Sequence, residues 1–260
     1  MANFLKFLRP AIFSEKKIFL ITKNMTSNVD IKDMRQPYKH KNEAFLEEHL
    51  VSREPFKQFE SWFNEACKCE TIIEPNAMCI ATSTREGMPA CRMVLLKEFG
   101  KNGFKFFTNY GSRKGSELVI SVENPFAALM FYWEPLNRSI RIEGSVQKMS
   151  VEECTDYFHS RPKSSQIAAC VSPQSEVIPS RQFLIDRELE LLNKYAHDQV
   201  PKPEKWGGFI VAPTSFEFWQ GQTTRMHDRI RFRLKKDEEI CDNVLVHEGE
   251  DGWVYERLAP

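Results

Sequence analysis

The run Trp219-Gln220-Gly221-Gln222-Thr223-Thr224-Arg225-Met226-His227-Asp228-Arg229 sets two arginines, a histidine, an aspartate and a tryptophan around one glycine. A planar guanidinium fork suits phosphate or carboxylate, and histidine is the side chain that titrates near neutral pH. Together they point to a pocket for a small anionic substrate. A solvated hairpin whose charges pair with one another would use the same residues, and the stretch by itself does not separate the two readings.

Further cationic clusters lie upstream. Arg92 and Lys97 bracket Arg92-Met93-Val94-Leu95-Leu96-Lys97. Their odd separation places them on opposite faces of an ideal strand, serving two ligands or two sides of one cofactor. Phe107-Thr108-Asn109 ends the next strand, and Ser112-Arg113-Lys114 follows at an expected helix start. Backbone N–H groups with Arg and Lys at a helix N-terminus make a phosphate site; a solvated turn is the competing reading. Tyr157, Arg161 and Ser165 recur every four residues, but Pro162 opposes a continuous helix, so they read as a helix end plus a turn. Gln174-Ser175, between Pro173 and Pro179, is a loop able to hydrogen-bond a ligand.

The common fingerprints are missing from the sequence. No GxGxxG follows a strand, and neither a P-loop nor GxSxG nor HExxH occurs. Six scattered histidines give a metal site little support, and none is assigned.

These residues must be positioned by a chain of 260 residues whose apolar fraction, 42%, suits a globular core with 20 Phe and 5 Trp. Basic and acidic residues balance at 36 each. That balance argues against general nucleic-acid or membrane-surface binding, while local basic clusters can still take small anions. The 7 cysteines form no CxxC pair, and Cys79 and Cys91 sit in apolar runs, so a reducing compartment without a disulfide framework is expected. No apolar run reaches the roughly 20 residues that span a bilayer. The segment Met1 to Asp30 carries Lys6, Arg9, Lys16, Lys17 and Lys23 among Phe and Leu. It is read as a disordered tail or alternative start, with an amphipathic transit segment as the rival. A cytoplasmic location is expected, with mitochondrial targeting left open, and residues 1–33 are set apart from a single domain over 34–260.

Pro55 to about Cys67 reads as a helix with Phe56, Phe59, Phe63 and Ala66 on one face. Strands follow at Ala77 to Thr82, Cys91 to Lys97 and Phe104 to Thr108, the last two joined by a tight turn at Gly100-Lys101-Asn102-Gly103. Alternation puts Phe104 and Phe106 on one face, Lys105 and Phe107 on the other. A short helix opens at Ser112, and Ala127 to Trp133 pairs with Arg138 to Val146. Ser150 with Glu153 forms a capping-box pattern for a helix to about Ser160. Ser180 to about His197 is a further helix with Leu184, Leu191, Leu192 and Tyr195 as apolar contacts. Phe209-Ile210-Val211, Phe216 to Trp219, Ile230 to Phe232 and Trp253 to Tyr255 are closing strands. Short strands at hairpin spacing without regular strand–helix alternation predict an α+β fold with an antiparallel sheet or barrel.

With these motifs in order from Met34 to Pro260, the chain resembles the pyridoxine/pyridoxamine 5'-phosphate oxidase family. The most specific pieces are Arg92 to Lys97, Phe106 to Asn109, Ser112 to Gly115, Phe158 to Gln166, Phe218 to Gln222, Arg225 to Arg229 and Glu256-Arg257-Leu258-Ala259-Pro260. The resemblance implies an FMN-binding, Greek-key split β-barrel with flanking helices, assembled as a homodimer with FMN at the interface. It implies that Arg92, Met93, Val94, Leu95, Phe107, Thr108, Arg113, Lys114, Gln174, Ser175, Trp219 and Arg229 contact FMN. Lys97, Tyr157, Arg161 and Ser165 would hold the substrate phosphate. Arg225 and His227, with Met226 between them, would face the substrate's pyridine ring as catalytic residues. Arg35, Gln36, Pro37 and Tyr38 match a segment that can close over the substrate.

Two positions depart from the family pattern. Ser139 stands where a flavin-contacting Gln is usual, and Pro37 where a more flexible residue is usual. The implied reaction oxidises a phosphorylated pyridine alcohol or amine to the aldehyde, with molecular oxygen as acceptor and hydrogen peroxide as product. The rival readings are a non-catalytic flavin or pyridoxal-phosphate carrier and a flavin reductase using a nicotinamide donor. Whether His227 moves a proton or only holds a position stays open at this point.

Overall fold

A computed structural model describes residues 31–34, 37–38, 43–120 and 125–260. Met1–Gln36 and Pro37–Pro260 are two units. In the first, the described residues form a turn in which the Met34 N–H donates to the Ile31 carbonyl at 3.0 Å. The expectations for residues 1–30, Arg35 and Gln36 lie outside the described residues.

In the second unit, helix α1 spans Pro55–Lys68. Pro55 occupies its first turn, and the Glu54 carboxylate caps it by accepting from the N–H groups of Phe56 and Lys57 at 3.1 and 2.9 Å. Its inward stripe is Phe56, Phe59, Trp62 and Ala66. Trp62 therefore takes the deep place expected of Phe63, which packs at the margin of the core.

Ten strands form one antiparallel sheet: β1 Ala77–Ser83, β2 Pro89–Leu95, β3 Glu98–Gly100, β4 Gly103–Asn109, β5 Phe126–Trp133, β6 Arg138–Lys148, β7 Trp206–Gln220, β8 Asp228–Leu234, β9 His247–Glu248 and β10 Trp253–Arg257. The pairing path runs β2-β1-β5-β6-β7-β8-β10-β9, with β4 joining β7 and β3 joining β4, and it does not close on itself among the described residues. This is the expected α+β, antiparallel architecture. Phe104 and Phe106 face the core as the alternation requires.

The remaining helices are α2 Arg113–Ile120, α3 Val151–Ser160, α4 Lys163–Val171 and α5 Arg181–Lys194. α3 begins with the capping box of Ser150 and Glu153 that its sequence predicts. α5 starts at an N-cap Ser180 and packs Leu184, Leu191 and Tyr195 on a satellite core of Phe158, Ile167, Val171, Val200 and Trp206. Leu192 instead stays exposed on the outer face.

Three further expectations are corrected. β2 ends at Leu95, so Lys97 lies beyond the strand and the opposite-face argument for Arg92 and Lys97 does not apply. Pro162 ends α3 as expected, yet α4 starts at once, because a proline carbonyl can open a helix even though its nitrogen cannot donate. The Pro162 carbonyl accepts from Ser165 at 2.9 Å and Gln166 at 3.1 Å. Finally, the two short strands expected around Phe209 and Phe216 are one 15-residue strand. Pro213 signals a break, but it falls where β4 pairing has ended at Val211 and β8 pairing begins at Ser215. On that side no ladder bond asks for its missing N–H. Among the described residues no helix is long and apolar enough to cross a membrane.

Candidate active site

The expected site residues collect into three groups. The first lies where β4 meets α2. Lys114 is buried, and its Nζ donates to Thr108 Oγ1 at 3.0 Å, Gln174 Oε1 at 3.2 Å and Ser112 Oγ at 3.4 Å. All three partners are neutral, and among the described residues no carboxylate pairs with it. Burial first, and the charge of Arg92 second, push its pKa below the usual lysine value. Arg92 and Arg113 share Glu117: Arg113 Nε donates at 2.8 Å and Arg92 Nη2 at 3.5 Å, while Thr82 bridges Arg92 and the same carboxylate. Burial would raise the Glu117 carboxyl, but Thr82, Arg113 and Arg92 together hold it below its ordinary value. Two arginines on one carboxylate, with Lys114 beside them unpaired to any carboxylate among the described residues, leave the cluster positive next to a helix N-terminus. That is the chemistry of a phosphate-binding site. Ser175, on the adjoining loop, takes a left-handed backbone with φ 75°.

The second group lies under α3. Phe107 projects from β4 away from the core, and Tyr157 lies face to face on it, ring centroids 3.9 Å apart and 21° from parallel. Trp206 continues the stack at 5.4 Å from Phe107. Gly208, opposite Phe107 in the ladder, makes room for the ring, since a Cβ there would come within 2.9 Å of Phe107 Cε1. The Arg161 guanidinium caps the column 4.8 Å from the Trp206 ring, a cation–π contact. Among the described residues its Nη1 is buried without a hydrogen-bond partner, and burial lowers the pKa of the guanidinium. An unpaired buried guanidinium nitrogen is costly and calls for an acceptor. Ser165 sits in the first turn of α4, two residues beyond its start. Lys97 is exposed, its N–H bound to the Lys105 carbonyl at 2.9 Å.

The third group surrounds the loop after β7. A cavity of about 500 Å³ is lined by Tyr38, Met130, Tyr132, Ser139, Arg141, Glu217, Trp219, Arg229 and Pro260. Tyr38 stands edge-on to Trp219 at 6.0 Å and to His227 at 5.8 Å, and its carbonyl accepts from Thr223 Oγ1 at 2.7 Å. His227 Nδ1 accepts the Gln222 N–H at 3.0 Å. Burial, then the charge of Arg225, lowers the imidazole pKa below its usual value, with Asp228 opposing. Asp228 pins the loop from behind: it accepts from Gln222 Nε2 at 2.8 Å, Arg257 Nη1 at 3.0 Å and the Phe45 N–H at 3.0 Å. Arg225 is exposed and held in the left-handed region at φ 68°. Met226 is exposed beside it, as are Met93 on β2 and Pro37, while Val94 and Leu95 are half-buried.

The structure thus gathers Arg92, Thr108, Arg113, Lys114 and Gln174 in one place, Phe107, Tyr157 and Arg161 in a second, and Tyr38, Ser139, Trp219, Arg229 and His227 in a third. The second and third lie at opposite ends of one strand. Trp206 and Trp219 mark them on one strand, and that length of β-strand is roughly 40 Å at about 3.3 Å per residue. Sequence reasoning missed Thr82, Glu117, Trp206, Arg141 and Glu217. Glu117 was findable as the i+4 partner of Arg113, and Glu217 as the outward neighbour of Trp219 on an alternating strand.

Comparison with known proteins identifies the family. Residues 64–190 match the family model described as pyridoxamine 5'-phosphate oxidase. Residues 206–260 match the pyridoxine 5'-phosphate oxidase C-terminal dimerisation region. The chain is 54% identical over 251 residues to a pyridoxine/pyridoxamine 5'-phosphate oxidase of Bombyx mori, covering 94% of this chain and 96% of the relative. It is 56% identical over 235 residues to pyridoxine-5'-phosphate oxidase of Bos taurus, covering 89% and 88%. Among solved structures it is similar to PhzG from Burkholderia lata 383 in complex with tetrahydrophenazine-1-carboxylic acid, with TM-score 0.70, 25% identity, and coverage of 83% of this chain and 97% of that one. A pyridoxamine 5'-phosphate oxidase-related, FMN-binding protein from Nostoc punctiforme PCC 73102 shares the fold at TM-score 0.58 and 13% identity, covering 80% and 98%. The chain belongs to the pyridoxine/pyridoxamine 5'-phosphate oxidase family.

Proposed function

We propose that this protein is an FMN-dependent oxidase that converts pyridoxine 5'-phosphate and pyridoxamine 5'-phosphate to pyridoxal 5'-phosphate, with molecular oxygen as acceptor and hydrogen peroxide as product. The observation that carries this reading is a pair of cationic clusters, each with a cation that has no carboxylate partner among the described residues: the buried Lys114 in one, and in the other the half-buried Arg161 with its buried Nη1. Two phosphorylated ligands, a cofactor and a substrate, account for two such clusters. In this reading Arg92, Arg113 and Lys114 hold the phosphate of FMN, and Ser139, Trp219 and Arg229 meet the flavin. Ser139 is short for that contact and half-buried at the cavity wall.

FMN, when bound, supplies the two-electron acceptor. The chain's own residues orient the substrate. Lys97, Tyr157, Arg161 and Ser165 anchor its phosphate, remote from the reacting carbon, so binding energy is available for orientation. Arg225 covers the pyridine ring. His227 presents Nε2–H as a donor, because Nδ1 is already an acceptor.

The distance along β7 supports a homodimer with composite sites. Even a right-angle bend at mid-strand would leave roughly 30 Å between Trp206 and Trp219, which mark the two groups in one copy. A pyridine phosphate cannot bridge that gap, but two antiparallel copies can bring the phosphate group of one beside the loop of the other. The split-barrel description and the FMN position at the interface belong to the same proposal. To test it, the purified protein is inspected for flavin absorbance, then given pyridoxine 5'-phosphate under air while peroxide and aldehyde are followed. Coupled formation of both is the expected result. A yellow protein without turnover would favour a carrier, and turnover only with a nicotinamide donor would favour a reductase.

A further inference from the structure

Along β7, Phe216 and Phe218 turn into the core while Glu217 and Trp219 turn outward to the cavity wall. Glu217 is the one acidic side chain among the described residues lining that cavity, and its side chain is only 9% exposed. Its two oxygens hold two arginines. Oε2 accepts from Arg141 Nη2 at 2.7 Å and Oε1 from Arg229 Nε at 2.8 Å. Arg141 lies directly opposite on β6, and Arg229 is two positions from the directly opposed residue on β8. That opposed residue, Arg231, is drawn off by Glu256, to which its Nε donates at 3.0 Å. Arg229 is fixed at a second point, Nη1 to the Ala259 carbonyl at 2.7 Å. With Nε–H and one Nη1–H committed, the second Nη1–H and the two Nη2–H donors are left for a ligand.

We propose that Glu217 is a positioning residue for the flavin: it locks Arg229 into one orientation and sets the charge of the cavity wall. This rests on the reading that Trp219 and Arg229 hold FMN. Its two roles are separable. Holding Arg229 acts through hydrogen-bond geometry, so it governs FMN affinity. Adding a negative charge beside two arginines acts through the field, so it governs reduction, which places extra negative charge on the flavin.

The test titrates apoprotein with FMN, following flavin fluorescence, and measures the midpoint potential of the bound flavin against reference dyes. E217Q keeps the side-chain size and removes the charge. It is expected to raise the FMN dissociation constant about tenfold and to move the potential to more positive values. E217D keeps the charge and shortens the reach, so it weakens FMN while leaving the potential near that of the wild type. It also serves as the test if E217Q does not fold. Wild-type affinity in E217Q or in a folded E217D, alongside weakened FMN in R229Q, would overturn the role of Glu217 and leave the flavin reading standing. Wild-type affinity in R229Q would remove that reading itself. Weakened FMN with an unshifted potential in E217Q would overturn the charge role.

Discussion

The Gln222 N–H donates to His227 Nδ1 at 3.0 Å, so the neutral ring carries its proton on Nε2. Protonating Nδ1 would set two donors against each other. In the unfolded chain a histidine titrates near about 6.5; in the fold, burial and Arg225 lower that value. Between the two values the unfolded chain binds more protons, so His227 makes stability fall as pH drops through and below about 6.5. The expected result is an NMR titration midpoint for His227 below that of an exposed histidine, and a shallower acid-side loss of stability in His227→Asn. A midpoint at or above 6.5 would contradict the lowering of its pKa by burial and Arg225.

Arg225 tests the cost of function against stability. Its φ of 68° costs a non-glycine residue about 1 kcal/mol, and its side chain is exposed. Arg225→Gly should therefore raise the melting temperature slightly while lowering kcat/KM at least about tenfold. Arg225→His should lower kcat/KM as well, beyond any effect on folding. Unchanged steady-state kinetics in either purified variant would remove Arg225 from the substrate.

The phosphate anchor predicts a selective effect. Lys97→Ala and Arg161→Ala should raise KM for the phosphorylated substrate about tenfold or more, with little change for its dephosphorylated analogue. Equal losses on both substrates would show that neither residue reads the phosphate. Removing Arg161 also removes a buried donor without a partner, so its loss should destabilise the free protein little.

Phe59 is fully buried among Phe99, Phe104 and Phe131, with ring centroids at 4.9, 4.9 and 5.2 Å. Phe59→Ala should cost about 3–5 kcal/mol in denaturant unfolding. A loss below about 1 kcal/mol would mean that α1 repacks on the sheet.

Local signals in the sequence specify structure where the physics is local. Pro55 and the spacing of Phe56 and Phe59 specify α1, and Ser150 with Glu153 specifies the start of α3, because caps and helical periodicity act within one turn. The alternation of Phe104 to Phe107 assigns faces on β4 because side-chain direction along a strand has period two. Pro213 misled for the opposite reason: whether a proline breaks a strand depends on what pairs with it, and that is not local.

By itself the sequence determined the chemistry on offer: which residues are cationic, which can titrate, and that Trp219 to Arg229 is too polar for a core strand. Only the tertiary structure decided who stands beside whom. It made Glu117 the shared partner of Arg92 and Arg113, put Trp206 beneath Arg161, and joined Glu217 to Arg141 and Arg229 across three strands. It also set the Tyr157–Arg161 group and the Trp219–His227 group at opposite ends of β7. Cross-strand register arises when distant segments pair to bury their apolar faces together, and no window of neighbouring residues encodes that choice.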